Sequence, residues 1–142
     1  MNAFRGQFEH QMDGKGRVSL PSAFRRDEVD RFVLIQVQAP YLTLFPEPKW
    51  AEVEERFMEF GASGRKEMNA IRALLSGLVE VSPDKQGRIL IPAHLQEKAG
   101  LDGSVILLGM RDRVELWDPE TYEREVEGST TDLDAIALRL IR

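Results

Sequence analysis

A five-residue group occurs twice in this chain, 71 positions apart. Asp13-Gly14-Lys15-Gly16-Arg17 leads into Val18-Ser19-Leu20-Pro21, and Asp84-Lys85-Gln86-Gly87-Arg88 leads into Ile89-Leu90-Ile91-Pro92. The same offset matches Gly6 with Gly77. After one extra residue in the second copy, Val33-Leu34-Ile35 meets Val105-Ile106-Leu107, Leu44-Phe45 meets Leu116-Trp117, and Trp50 meets Tyr122. Matches that preserve turn and apolar positions over this span make chance a poor explanation. Two copies are too few for a solenoid. They suit a pseudo-two-fold globule in which each half covers the other's exposed face.

Each copy reads alike. Phe8, His10 and Met12 alternate as in a half-buried strand. Residues 13–17 are turn chemistry, because Asp hydrogen-bonds backbone two residues on and Gly allows positive φ. A hairpin is the expectation, with residues 18–20 as its return strand. Pro21 suits the first position of a short helix reaching about Arg26. Residues 32–38 are the best strand of the half, Ala39-Pro40 breaks it, and residues 41–45 pair back. In the second copy, strands are expected at 78–81 and 89–91, with a helix from Pro92 to a cap at Gly100. Residues 104–108 and 114–117 then form a hairpin.

Helices follow each half. Pro46-Glu47-Pro48 marks a helix start, with Trp50, Val53, Phe57 and Phe60 at helical spacing. Gly61-Ala62-Ser63-Gly64 is the clearest linker. Met68, Ile71, Leu74 or Leu75, and Leu78 suggest a second amphipathic helix. Residues 119–127 repeat the first helix in weaker form, and Gly128-Ser129-Thr130-Thr131 breaks it. Residues 132–142 form a last helix with Leu133, Ile136, Leu140 and Ile141 on one side. The division expected is 5–48 for the first repeat, 49–75 for a helical connector, 76–119 for the second repeat and 120–142 for the C-terminal helices.

The chain has no run of apolar residues long enough to span a bilayer. Its opening residues lack the apolar h-region of a secretory signal. Cysteine is absent, which removes disulfides and thiolate chemistry and fits a reducing compartment. The net charge of −5 argues against a nucleic-acid partner. Its distribution softens that objection: between Asp112 and Asp134 stand nine acids and two bases, so the rest of the chain carries a small positive excess.

Catalysis finds little support. His10 and His94 occupy non-equivalent positions and belong to no metal-binding spacing. No nucleophile elbow, phosphate loop or dinucleotide fingerprint occurs, so no enzyme, cofactor, metal or small-molecule substrate is expected. The paired turns are the positive signal. An Arg on a rigid rim is preorganised, and its planar fork can grip phosphate or guanine O6 and N7. On that reading Arg17 and Arg88 contact DNA, Lys15 and Lys85 touch phosphate, and Asp13 and Asp84 accept turn N–H groups or hold the Arg side chain. The plainer reading also stands on the residues alone: each Asp–Arg pair closes its own turn, and pseudo-symmetry repeats it. The Trp50, Val53, Phe57 and Phe60 stripe reads as core or subunit contact.

Phe4-Arg5-Gly6, His10, Asp13-x-Lys15-Gly16-Arg17, Leu20-Pro21 and Phe24-Arg25 resemble the start of the bacterial MraZ family. Asp84 through Pro92, Leu95 and Ala99-Gly100-Leu101 resemble its second repeat. The resemblance runs to about Tyr122. It implies an α+β fold: two pseudo-symmetric swapped-hairpin units of the AbrB/SpoVT type, forming a small barrel in one chain with flanking helices. It implies a transcriptional regulator, a repressor of the division and cell-wall gene cluster, that binds double-stranded DNA at repeated promoter boxes. It further implies a ring-shaped homo-oligomer and a cytoplasmic, nucleoid-associated location. The DNA-contacting turns carry over as residues 13–17 and 84–88. Gly14-Lys15 against Lys85-Gln86 is a departure within the repeat, so the two turns need not make the same contacts. The alternative is a ring-forming protein-interaction scaffold without specific DNA binding.

Overall fold

A computed structural model describes residues 3–25, 29–129 and 132–142. The first half contains β1 (Gln7–Gln11), β2 (Arg17–Ser19), a 3-10 turn (Ser22–Phe24), β3 (Phe32–Ile35) and β4 (Leu42–Pro46). Helices α1 (Glu47–Gly61) and α2 (Arg65–Leu75) follow. The second half contains β5 (Val79–Val81), β6 (Arg88–Leu90), α3 (Ala93–Ala99), β7 (Ser104–Gly109) and β8 (Val114–Trp117). Helix α4 (Pro119–Tyr122) runs into a π turn (Glu123–Glu127), and α5 (Leu133–Leu140) is last. The architecture is mixed α+β, and every strand pairing is antiparallel.

Six strands form one sheet in the order β1-β7-β8-β4-β3-β5. Exchanging the halves turns this order into its own reverse, which places a pseudo-two-fold axis between β8 and β4. The edge strands have changed sides. β1 pairs with β7 of the second half, and β5 pairs with β3 of the first. β2 and β6 pair only with each other, Val18 opposite Ile89. Leu20 N–H donates to Gly87 O and Ile91 N–H to Gly16 O, both at 2.8 Å, lengthening that ladder symmetrically.

This corrects the expected hairpin. The turn at 13–17 closes, but β1 and β2 do not pair across it; each takes a partner from the other half. The reason is burial. Val18, Leu20, Ile89 and Ile91 are fully buried in one central cluster with Leu34, Leu44, Leu107 and Leu116. Fully burying such a side chain contributes about 1.5–3 kcal/mol, and only the crossed pairing brings both sets to the same place.

The repeat alignment is also one residue out at its best strand. Val33 lies opposite Phe45, while Ile106 lies opposite Trp117. Phe32-Val33-Leu34 is therefore equivalent to Val105-Ile106-Leu107. Burial agrees: Phe32, Leu34, Val105 and Leu107 face the central cluster, while Val33 and Ile106 face outward layers. Side chains alternate along a strand, so a one-residue slip would turn each core residue to the wrong face.

Other boundaries move for local reasons. β3 stops at Ile35, short of the predicted 38. A 3-10 turn replaces the short helix after Pro21, and the predicted end at Arg26 lies outside the described residues. α3 ends as expected, with Gly100 left-handed at φ 63°.

The outer face of the sheet is covered unequally. Val33, Ile35 and Phe45 pack under Trp50 and Val53 of α1, with Leu74 and Leu75 of α2 beside them. Among the described residues, Ile106 and Trp117 cluster with Tyr122 of α4 and with Leu108, and Tyr41 stacks on Trp117. Phe60, expected in the apolar stripe, is 54% exposed. The apolar side of α5 is not buried either: Leu133 and Leu140 are 73% and 74% exposed. No helix among the described residues is long and apolar enough to cross a membrane.

Candidate nucleic-acid interface

The two repeated turns have one geometry. In the first, Asp13 Oδ1 accepts the backbone N–H groups of Lys15 and Arg17, both at 2.9 Å. Asp13 Oδ2 accepts Arg17 Nε at 2.8 Å. In the second, Asp84 Oδ1 accepts Gln86 N–H and Arg88 N–H at 2.9 Å, and Asp84 Oδ2 accepts Arg88 Nε at 2.9 Å. The backbone closes each turn reciprocally: Asp13 N–H donates to Arg17 O at 2.8 Å, and Asp84 N–H to Arg88 O at 2.9 Å. Gly16 and Gly87 stand at φ 84° and 79°, where a side chain is strained. Asp at the first position and Gly at the fourth are thus what the turn requires.

These contacts act on the carboxylates. The Arg17 N–H holds the Asp13 carboxyl below the usual range, with help from the Arg17 side chain and the Lys15 N–H. The Arg88 N–H does the same for Asp84, with help from Gln86 N–H and the Arg88 side chain. Each Asp stays ionised and holds one edge of its guanidinium. The arginine loses rotamer freedom before it meets any ligand, so docking costs it less entropy.

Because β2 and β6 pair, the crossed strands set the two turns side by side. Arg88 Nη1 lies 3.9 Å from Asp13 Oδ2, so the second turn reaches the first. Arg17 and Arg88 are half-buried, and Lys15 and Lys85 stand exposed in their turns. All six residues singled out from the sequence, Asp13, Lys15, Arg17, Asp84, Lys85 and Arg88, therefore belong to one surface.

Two further residues join them. The Arg25 side chain lies over Gly87, and its Nε donates to Leu20 O at 3.0 Å. The Gln96 side chain lies over Gly16, and its Nε2 donates to Ile91 O at 2.6 Å. Arg25 and Gln96 stand at the repeat's own offset of 71, so each half braces the other half's turn. Extending the sequence alignment four residues past Pro21 and Pro92 pairs them, but an Arg matched to a Gln carries no visible signal.

The histidines do structural work. His10 Nδ1 is 2.9 Å from Ser19 O, and His94 Nε2 is 3.0 Å from Gly77 O. No group of three or more His, Asp or Glu among the described residues could hold a metal ion. The acidic segment is partly built into the fold, since Asp112 pairs with Arg113 and Lys49, and Glu115 accepts the Trp117 indole N–H.

A family model described as "MraZ protein, putative antitoxin-like" matches the chain twice, over residues 3–71 and 74–141. Three relatives are similar over nearly the whole length, each named "Transcriptional regulator MraZ". The protein of Carboxydothermus hydrogenoformans is 33% identical, over 97% of this chain and 96% of its own. That of Caldanaerobacter subterraneus subsp. tengcongensis is 36% identical, over 95% and 94%. That of Thermoanaerobacter pseudethanolicus is 37% identical, again over 95% and 94%.

Proposed function

We propose that this chain, which belongs to the MraZ family, is a sequence-specific DNA-binding transcriptional regulator whose reading edge is the pair of Asp–Arg turns. The observation that carries the reading is the arrangement of Arg17 and Arg88: each is held through Nε by its own Asp, on adjoining turns. Nε is committed within each turn, and Arg88 Nη1 also faces Asp13, so the Arg17 Nη groups and Arg88 Nη2 are the donors presented to a ligand. Guanine O6 and N7 in the major groove suit such a fork. Lys15 and Lys85 supply phosphate contacts that orient the edge. The relatives named as transcriptional regulators support the same class of function.

On this reading the crossed pairing of β1, β2, β5 and β6 is a swapped-hairpin barrel of the AbrB/SpoVT type. The targets are repeated promoter boxes, and the outcome is repression of a division and cell-wall cluster. One pair of turns makes few contacts on a chain of net charge −5. A ring of subunits answers that objection: a second linked contact gains roughly 10²–10⁴-fold through effective concentration.

Fluorescence anisotropy on boxed and scrambled duplexes, at two salt concentrations, tests the proposal. Preference for boxed DNA with steep salt dependence supports it. Equal binding to both duplexes, or none, leaves the scaffold reading.

A further inference from the structure

The paired strands β2 and β6 present an outward face that the core does not use. Val18 and Ile89 point inward and are fully buried, so Arg17, Ser19, Arg88 and Leu90 stand on the opposite side of the ribbon. They form two rows across it, Arg17 opposite Leu90 and Ser19 opposite Arg88. The hydrogen bonds from Leu20 N–H to Gly87 O and from Ile91 N–H to Gly16 O flank these rows. Each row is therefore a pair without hydrogen bonds of its own, in which opposite side chains come closest, with Cβ atoms about 4.5–5.5 Å apart. The repeat's offset of 71 matches Arg17 with Arg88, but Ser19 with Leu90. The symmetry of the face thus breaks at one position. Ser19 is half-buried, whereas Leu90 is 51% exposed. Leu90 also lines the cleft of about 670 Å³ beside the first turn, with Met12, Asp13 and Lys15. An exposed leucine adds nothing to a core that Ile89 and Ile91 already serve.

We propose that Leu90 is a specificity-determining residue of the reading edge, making apolar contact with the 5-methyl group of a thymine next to the base pair met by Arg17. The inference rests on the DNA-reading role proposed for the turns. A two-stranded ribbon fits the major groove, where the thymine methyl is an apolar mark that cytosine lacks. Arg17 and Leu90 stand side by side, at a spacing suited to successive base pairs, which rise about 3.4 Å. The other row gives Arg88 a serine neighbour, whose hydroxyl donates or accepts and so favours no one base. The edge therefore reads its two sides unequally. One row combines a guanidinium fork with a methyl contact, and the other combines a fork with an indifferent hydroxyl. A box that spans both rows is chemically asymmetric, although the two strands are related by the pseudo-two-fold axis.

The test removes the methyl from the DNA and the leucine from the protein. Each thymine of a boxed duplex is replaced in turn by deoxyuridine, which lacks only the methyl. Affinity is measured for the full wild-type chain and for Leu90→Ser, which makes the first row like the second. Circular dichroism and melting curves check the fold, and Leu90→Ala repeats the comparison should Leu90→Ser melt early. One replacement is expected to weaken the wild type about fourfold, the value of one buried methyl, and to leave Leu90→Ser unaffected. The slope of log affinity on log salt should be the same in both proteins, because a methyl contact releases no counterion. The inference is overturned if no replacement weakens the wild type, or if the same replacement weakens Leu90→Ser equally. A changed salt slope in Leu90→Ser also overturns it, since the substitution would then act through phosphate contacts. A preference for boxed over scrambled duplex without thymine-methyl dependence sinks this inference alone. If the wild type shows no such preference, the DNA-reading role itself fails, and this inference with it.

Discussion

Arg88 of the second turn comes within 3.9 Å of the Asp13 carboxylate of the first. Asp13 thus faces two arginines: its own Arg17 at 2.8 Å and the crossing Arg88. Asp84 has Arg88 at 2.9 Å, and no reciprocal approach of Arg17 to Asp84 occurs among the described residues. The turns are symmetric in backbone and asymmetric in charge.

The first prediction concerns the arginines. Arg17→Ala and Arg88→Ala are both expected to keep the fold, since each side chain is half-buried on a rim and outside the core. Each should weaken binding to a boxed duplex by roughly 1–3 kcal/mol if it contacts a base edge. Anisotropy titrations with melting curves measure both effects. A double variant that binds boxed DNA as the wild type does would remove these turns from the interface.

The second concerns the aspartates. Asp13→Asn removes the charge that two arginines share, whereas Asp84→Asn removes the partner of one. Asp13→Asn should therefore perturb both turns, and Asp84→Asn mainly its own. Chemical shifts of the Arg17 and Arg88 side-chain N–H groups read this directly. Equal and local effects in the two variants would contradict the crossing contact.

A pH dependence follows from the same carboxylates. Both titrate below their ordinary values when folded, chiefly because the Arg17 and Arg88 backbone N–H groups donate to them. A group with a lowered folded pKa contributes stability above its unfolded value, about pH 4, and loses it as pH falls through the folded value. The turns should hold at neutral pH and loosen in that acidic window. Backbone amide shifts of Lys15, Arg17, Gln86 and Arg88 should move together there, and the Asn variants should abolish their own turn's response.

The turn glycines differ in what stands beside them. A Cβ at Gly16 would stand 2.9 Å from the Ile91 carbonyl oxygen, while at Gly87 it would meet the end of the Arg25 side chain. Positive φ alone costs a non-glycine residue about 1–2 kcal/mol. Gly16→Ala and Gly87→Ala should each cost at least that, as read from chemical denaturation midpoints.

The exchanged strands predict cooperativity. Val18 and Ile89 face each other in the core, so each half lacks its central partner when alone. Leu20→Ala should cost about 2–5 kcal/mol, and the whole chain should unfold in one transition seen equally from Trp50 and Trp117. A fragment of residues 1–72 should stay unfolded as a monomer and fold on adding residues 73–142. Separate transitions for the two tryptophans would show halves more independent than the pairing implies.

Much of this was legible in the residues. Asp and Gly at set places in a short turn have few other uses, so the turn geometry followed from local chemistry. Pro92 and Gly100 bounded α3 for the same reason. The α5 helix forms where its spacing placed it, but its apolar side and Phe60 stay exposed in the chain, because helical spacing places apolar residues on one side without supplying anything to cover it. Arg25 over Gly87 was out of reach, because the contact joins residues from opposite halves.

By itself the sequence determined that there are two equivalent halves, where each turns, and which side chains hold each turn closed. Those are short-range matters of hydrogen-bonding reach and allowed φ. Only the tertiary structure decided that β1 and β2 part at the turn and pair across the halves, and that Phe32 rather than Val33 matches Val105. A strand's backbone donors and acceptors accept any antiparallel partner. The choice belongs to the shared core, which buries both halves' apolar faces only when the strands cross.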